Sequence, residues 1–473
     1  MTEGSTRTAT AKKNGVAPHN LAVERLLTNQ TDAGNADWFA GYGAGKVLYR
    51  HDRRCWVIFD GVAWREDRRG AINGIAEDAI CALLRAAAER RSVDASRLAQ
   101  WAAKSLNRRP LENMLTLAQH KLAAPPGEAF DADPMLLAVQ NGVLDLRTGH
   151  FRAALPEDYI SRVAGVRYEK NARCPTFKAF MQRIFDGDSE MVCYLQRAIG
   201  YTLTGSTDEQ VLFLLYGDGS NGKTTLCEDV LQALLGEYAQ VAAIDTFLER
   251  RGDRNSTSDL ARLDGARLVL TSESDANRRL GAGIVKQITG GDRVTARFQY
   301  GNEFTYSPRF KLWMMTNHRP QIPDSTHGMW RRVRYVECKV KIPEAERDLR
   351  FKDKLLAELP GILNWANTGT SMWLMNQLRP PASAIAATEA YRLEQDTFAN
   401  FIAECCEVGP EHFMPFGGLF DAYKELYGQQ GFNERGVLSM HAFSRRLDQA
   451  GFAKDRRTNN TLYRLGLRLR SRR

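Results

Sequence analysis

Gly217-Asp218-Gly219-Ser220-Asn221-Gly222-Lys223-Thr224-Thr225 lies directly behind the apolar run Val211–Tyr216 and ahead of a helical pattern that begins at Leu226. Glycines at this spacing let backbone N–H groups turn inward around phosphate oxygens. A helix starting there adds unpaired N–H groups and the positive end of its dipole. Lys223 is placed to reach the outer phosphates of a nucleoside triphosphate, and the Thr224 hydroxyl to hold Mg²⁺. The alternative is an ordinary glycine-rich turn, which requires neither flank. Hydrolysis needs more than a loop: an acid on the metal side, a group that orients water, and a cation for the transition state. Ala266–Glu273 reads as a buried strand ending in an acid, with Asp275 two residues on. Glu273 would face the metal and the attacking water, and Asp275 would assist; otherwise both are solvated acids at a strand end. Phe310–Asn317 is a second apolar strand, ending in an amide suited to hold that water, although Asn is also a common turn former. Arg331 and Arg332 follow Gly328-Met329-Trp330. In a ring-shaped ATPase one such arginine reaches the neighbouring subunit's nucleotide; the plain alternative is surface ion pairing.

These residues call for parallel strands that end together, with a helix after the glycine-rich loop. The pattern places that nucleotide module at about 211–395, behind two helical stretches between Phe177 and Thr204 that form a collar or oligomerisation segment (171–210). Ahead of them, 21–170 mixes helices with short strands: Cys55–Phe59, a turn at Asp60-Gly61, a strand with Trp64, an alanine-rich helix over Ile75–Arg91, and a hairpin around Asn141-Gly142. Residues 1–20 are polar and mixed and read as a disordered tail. Helices broken at Pro380-Pro381 lead to a final domain, 396–473, with helical patterns at Leu419–Tyr427 and Ser439–Ala450 and a strand at Leu462–Leu467. That order suggests a winged helix whose recognition helix is His441–Leu447, with Arg445, Arg446, Arg456 and Arg457 toward DNA phosphates.

Composition narrows the partners. The 473 residues carry 65 Lys+Arg against 56 Asp+Glu, a net charge of +9. That balance favours an anionic partner, with nucleic acid as the default. Lys454, Arg456, Arg457, Arg464, Arg468, Arg470, Arg472 and Arg473 crowd the C-terminus, with Asp455 the one acid among them. The eight cysteines show no Cys-x-x-Cys and no zinc spacing, so they read as reduced, mostly buried thiols of a cytoplasmic protein. No apolar run approaches the ~18 residues of a membrane span. Two tempting motifs are set aside. Gly41–Lys46 lacks a preceding strand and a following Ser/Thr. Asp131-Ala132-Asp133 sits between prolines and reads as a solvated acidic turn rather than a metal-binding strand.

Between the two acid- and amide-ending strands, Ile284–Arg297 forms a helix carrying Lys286, a break at Gly290-Gly291 and the start of a basic, aromatic hairpin turning near Gly301-Asn302. Such a hairpin suits a single strand's phosphates and bases. With these segments on the page, the chain resembles the superfamily 3 helicases, in the branch of phage and plasmid primase–helicases and the related poxvirus enzymes. The glycine-rich loop, the strand ending at Glu273, Lys286–Arg297 (the family's B′ motif), Thr316-Asn317 and Trp330–Val333 fall in family order. Asn141–Leu146 and Pro360–Trp365 match its flanks. The resemblance implies an AAA+ P-loop core of α/β class, an N-terminal helicase-associated domain and a C-terminal winged-helix-like domain. It implies a homohexameric ring that moves 3′ to 5′ on single-stranded or forked DNA with ATP and Mg²⁺. It also implies a separate primase or polymerase as partner and replication of a phage, plasmid or mobile element in a host cytoplasm. By the same resemblance Arg332 is the arginine finger, and Lys286, Arg297 and Tyr300 contact DNA. Many relatives carry a primase domain ahead of the helicase. The segment here is short, so the expectation is a chain that makes no primers. The alternative reading is an ATP-dependent initiator or loader that melts origin DNA without processive unwinding.

Overall fold

The computed structural model describes residues 26, 29–89, 93–249, 257–273, 279–298, 302–322, 327–429, 438–457 and 461–470. The expected tail (1–20), Asp275 and Tyr300 lie outside them. The chain divides into two compact units, the first built mainly from residues up to Ala132 and the second mainly from Ala164 onward.

In the first unit, helix Asp32–Gly43 precedes an antiparallel sheet of β1 (Val47–Arg50), β2 (Cys55–Phe59) and β3 (Trp64–Glu66), followed by helices Ala71–Ala88, Val93–Ser105 and Arg108–Ala118. The β2–β3 turn pairs Phe59 with Trp64 and places Gly61 at φ 99°, a conformation open to glycine. Trp38, Phe39, Ile80, Leu83, Leu98 and Met114 fill its core. Lys46 lies after a helix and before a strand, the reverse of a phosphate loop, with its ammonium over the Tyr42 ring at 4.3 Å. Strands β4 (Leu136–Val139) and β5 (Gly142–Asp145) flank Asn141 and join β6 (His150–Arg152) in a three-stranded sheet. Asp131 accepts from Ser161 N, while Asp133 pairs with Arg147 at 2.6 Å. Both carboxylates are thus engaged in loop and ion-pair contacts.

The second unit centres on a parallel sheet of β7 (Leu212–Tyr216), β8 (Ala239–Val241), β9 (Leu268–Glu273), β12 (Lys311–Thr316) and β13 (Val333–Glu337). Their spatial order is β13-β7-β12-β9-β8. Side chains alternate between its faces, as the two-residue period of a strand dictates. Phe213, Leu215, Leu270, Trp313 and Met315 enter one core with helices Pro175–Ile184, Ser189–Leu203 and Leu359–Asn376. Leu212, Leu214, Val269, Leu312 and Met314 enter the other, with helix Ala282–Gly290. A sheet covered on both faces has near-continuous apolar strands, which explains the runs seen in the sequence. The segment 171–210 shares this core rather than standing apart from it. Inserted between β9 and β12 is an antiparallel hairpin of β10 (Val294–Arg297) and β11 (Glu303–Tyr306).

The C-terminal region has its own core of Phe398, Phe401, Leu419, Tyr423, Phe443 and Leu467. Its order is helix Thr397–Cys405, β14 (Cys406–Pro415), helices Phe416–Gln429 and Met440–Gln449, then β15 (Lys454–Arg457) and β16 (Thr461–Leu469). The sheet runs β14-β16-β15, antiparallel throughout. Helix Thr397–Cys405 and the ten-residue β14 were not among the expected elements. All eight cysteines are free; four are buried and four partly buried. Among the described residues no helix is long and apolar enough to cross a membrane, and no cluster of three His, Cys, Asp or Glu side chains could hold a metal.

Candidate active site

Four strands of the parallel sheet end in register. Tyr216 of β7 lies beside Thr316 of β12 and Glu337 of β13, and Thr316 lies beside Glu273 of β9. The glycine-rich loop, Asn317 and Glu273 therefore share one edge. From β7 the chain runs out to β8, returns through β9 and β12, and crosses to β13 on the other side. Open parallel sheets bind ligands beyond the carboxyl ends of their strands at such a reversal.

Backbone conformation makes the loop a cradle. Gly219 and Gly222 have φ of 99° and 81°. A Cβ on Gly217 would stand 1.9 Å from Asn221 Nδ2, and one on Gly222 2.7 Å from Ile184 Cγ2, so neither position admits a side chain. Lys223, 5 % exposed, donates to Gly217 O at 2.5 Å, Asn221 Oδ1 at 3.1 Å and Asn317 Oδ1 at 3.1 Å. Burial lowers its pKa. Its neighbour Cys338 is no counter-ion, because burial pushes that thiol up to about 12. An ammonium surrounded by neutral oxygens is a site that favours an anion. Asn221 Nδ2 donates to Cys338 O at 3.3 Å, and Tyr216 OH to Asp218 Oδ1 at 3.1 Å, bracing the two ends of the loop. Thr224 is exposed just ahead of the helical run Thr225–Leu235. The chemistry of this donor set fits a triphosphate, with the Thr224 hydroxyl and the Glu273 carboxylate as the oxygens suited to Mg²⁺.

The other expected catalytic residues divide. Asn317 is joined to the loop through Lys223. Glu273 ends β9 beside Thr316, and its side chain lies outside the described set. Arg331 is exposed, with Nη2 donating to Gln210 Oε1 at 3.3 Å. Arg332 is buried at 8 % exposure, donating to Thr289 Oγ1 at 3.1 Å, Gly328 O at 2.6 Å and Gln210 Oε1 at 3.5 Å. Burial, together with the charge of Arg331, lowers its pKa.

Of the expected DNA contacts, Lys286 is partly buried on helix Ala282–Gly290, and Arg297 is exposed at the end of β10. Phe298, just beyond it, stacks on Phe304 at 5.5 Å. Arg445 is exposed on helix Met440–Gln449, and Arg456 is exposed on β15. The Arg457 side chain lies outside the described set. Arg446 is held by Asp396 at 2.6 Å and lies over the Phe398 ring at 5.1 Å. The basic tail is also less free than its linear spacing suggests. Lys454 pairs with Asp448 at 2.7 Å, and Arg468 with Glu407 at 2.7 Å. Arg464 is fully buried, donating to Asp448 and to Phe452 O.

Three features near the sheet escaped sequence reasoning. Arg319 lies over the rings of Tyr216, Tyr335 and Tyr391 at 4.8, 5.5 and 5.9 Å and donates to Glu394. Arg347 Nη2 donates to Ser220 Oγ in the loop at 2.6 Å. At the opposite edge, buried Arg267 and Lys311 donate to carbonyls around the end of helix Ser189–Leu203: Arg267 to Leu203 O, Lys311 to Thr204 O and Ser206 O. A cation at a helix C-terminus is favourable. A charged residue interrupting or just preceding an apolar strand was the available signal for the last pair; nothing local marks the other two.

With this geometry in place, similarity to other proteins is informative. The family described as "D5 N terminal like" matches residues 36–186, and DUF5906, described as a family of unknown function, matches 215–332. A putative helicase of Acanthamoeba polyphaga mimivirus is 31% identical over 328 residues, covering 64% of this chain and 34% of that protein. A putative primase of African swine fever virus is 26% identical over 334 residues, covering 63% and 34%. The chain thus spans about a third of the length of these relatives. The apo structure of the NrS-1 C-terminal region aligns with 89% of this chain and 96% of that chain, at 10% identity and a TM-score of 0.49. From the two family matches and these relatives, the chain belongs to the primase–helicase-like family of phages and large DNA viruses.

Proposed function

We propose that the chain is an ATP-dependent DNA helicase acting in replication of a phage, plasmid or mobile element. The observation that carries this reading is the Lys223–Asn317 contact. It joins the phosphate loop to the end of the neighbouring strand, where a water-orienting amide belongs. In this reading the loop's N–H groups and Lys223 bind the triphosphate. Asn317 holds the attacking water in line, and Glu273, with Asp275, draws its proton. Mg²⁺, held through Thr224 and Glu273, would neutralise charge developing on the phosphates. The strand order and the β10–β11 insertion support an AAA+ core. The helix–strand–helix–helix–strand–strand order of the C-terminal region supports a winged helix.

The hexameric ring, 3′-to-5′ movement and Arg332 as finger come from the family resemblance. Because Arg332 is tied to its own chain, exposed Arg331 belongs in the same test set. Lys286, Arg297 and Tyr300 would meet the translocated strand, and Arg445, Arg446, Arg456 and Arg457 the duplex. Unwinding of duplexes with a 3′ or a 5′ single-stranded tail tests the whole reading. Only the 3′-tailed substrate should open, and Lys223→Ala should abolish it. DNA-stimulated hydrolysis without unwinding would favour the initiator or loader, which the separate core of the C-terminal region also suits.

A further inference from the structure

Beyond β13 the chain runs past the phosphate loop and is stitched to it twice. Ile342 N donates to Ser220 O at 2.8 Å, and Arg347 Nη2 donates to Ser220 Oγ at 2.6 Å. Ser220 stands at the crest of the loop with φ 51°, one residue after Gly219. The backbone bond fixes where the segment lies. The side-chain bond brings a full positive charge to within one hydroxyl group of the cradle.

The charges around that guanidinium leave it available. Its nearest carboxylate is Glu344, at 3.8 Å and itself exposed. Glu346, the other acid of the segment, is paired with Arg183 at 3.0 Å. Asp218 accepts from Tyr216 OH. Of the five N–H donors of the fork, one is committed to a neutral hydroxyl. Lys223 serves the inside of the loop, next to the helix N-terminus. Arg347 approaches from the outer side, where the end of a triphosphate chain would emerge.

We propose that Arg347 is a second phosphate-binding residue of the nucleotide site, contacting the terminal phosphate of a nucleoside triphosphate bound to the same chain. This rests on the nucleotide-binding reading above. A planar fork can keep its bond to Ser220 and still offer two parallel N–H groups to phosphate oxygens, which a lysine cannot do. The contact distinguishes triphosphate from diphosphate, since only the former presents the terminal group.

Calorimetric titration of the full chain with a non-hydrolysable ATP analogue and with ADP, both with Mg²⁺, tests the assignment. Arg347→Ala should weaken the analogue about tenfold, the worth of one charge-assisted hydrogen bond, and ADP much less. Arg347→Lys should recover part of the loss. Ser220→Ala, which removes the brace but not the charge, should leave both affinities within about threefold. Equal losses in Ser220→Ala and Arg347→Ala would overturn the proposal, because Arg347 would then only brace the loop. Unchanged analogue affinity in Arg347→Ala would overturn it as well. If the wild-type chain bound neither nucleotide, or Lys223→Ala bound both normally, the nucleotide reading itself would fall. Arg347 is exposed, so its truncation removes nothing from a core.

Discussion

Lys223 is buried among neutral oxygens and makes one of its three hydrogen bonds to Asn317, 94 positions along the chain. In the proposed mechanism the two residues have different tasks, and their variants should separate. Lys223 binds phosphate in ground and transition states alike. Asn317 acts chiefly on the attacking water. Asn317→Ala should therefore leave ATP affinity within a few-fold while kcat falls about a hundredfold, measured by phosphate release beside equilibrium binding. A parallel loss of affinity would show instead that Asn317 mainly positions the Lys223 ammonium. The loop's own chemistry was legible from the sequence, because its residues are contiguous and glycine spacing reports backbone conformation. Arg347 was not legible. An exposed arginine in a charged segment resembles any surface arginine until the fold sets it beside Ser220.

At the scale of elements, Lys311 shows how a strand is anchored at its base. It opens β12, is almost fully buried, and donates to Thr204 O, Ser206 O and Arg309 O, with the Tyr201 ring 4.7 Å from its ammonium. Burial holds its pKa well below the ordinary 10.5, and the charge of Arg267 adds to the effect. The folded chain thus binds this proton less tightly than the unfolded chain. Over the window from the folded value up to 10.5, stability gains a contribution that rises with pH. Comparison with Lys311→Met isolates that contribution from tyrosines that titrate in the same range. Between pH 8 and 10 the wild-type urea midpoint should rise relative to the variant's. Identical profiles would mean that Lys311 keeps a normal pKa. The apolar strands were readable from their runs. Their order was not, because parallel pairing joins segments separated by long connections and leaves no local trace.

Across the molecule, the end of helix Ala382–Gln395 connects the sheet to the basic region. Glu394 accepts from Arg319 beside the loop strand, and Asp396 grips Arg446 on helix Met440–Gln449. The two neighbouring arginines should therefore behave differently if this region binds duplex DNA. Arg445→Ala should weaken binding and lower the salt slope by about one, with little effect on melting. Arg446→Ala should instead cost about 1 kcal/mol of stability, since it leaves the half-buried Asp396 unpaired, and should change the salt slope little. A salt slope that drops for Arg446→Ala would show that DNA displaces Asp396.

The sequence by itself determined the phosphate loop, the apolar strands that flank it and the family likeness. All of these follow from short-range spacing and from residues adjacent in the chain. Only the tertiary structure decided which charges are spent and which remain available. Arg332, Arg446 and Arg464 are neutralised or buried by partners up to 122 positions away, while Arg445 is exposed. A charge's partner is set by what the fold brings within a few ångströms, and linear spacing does not encode that distance.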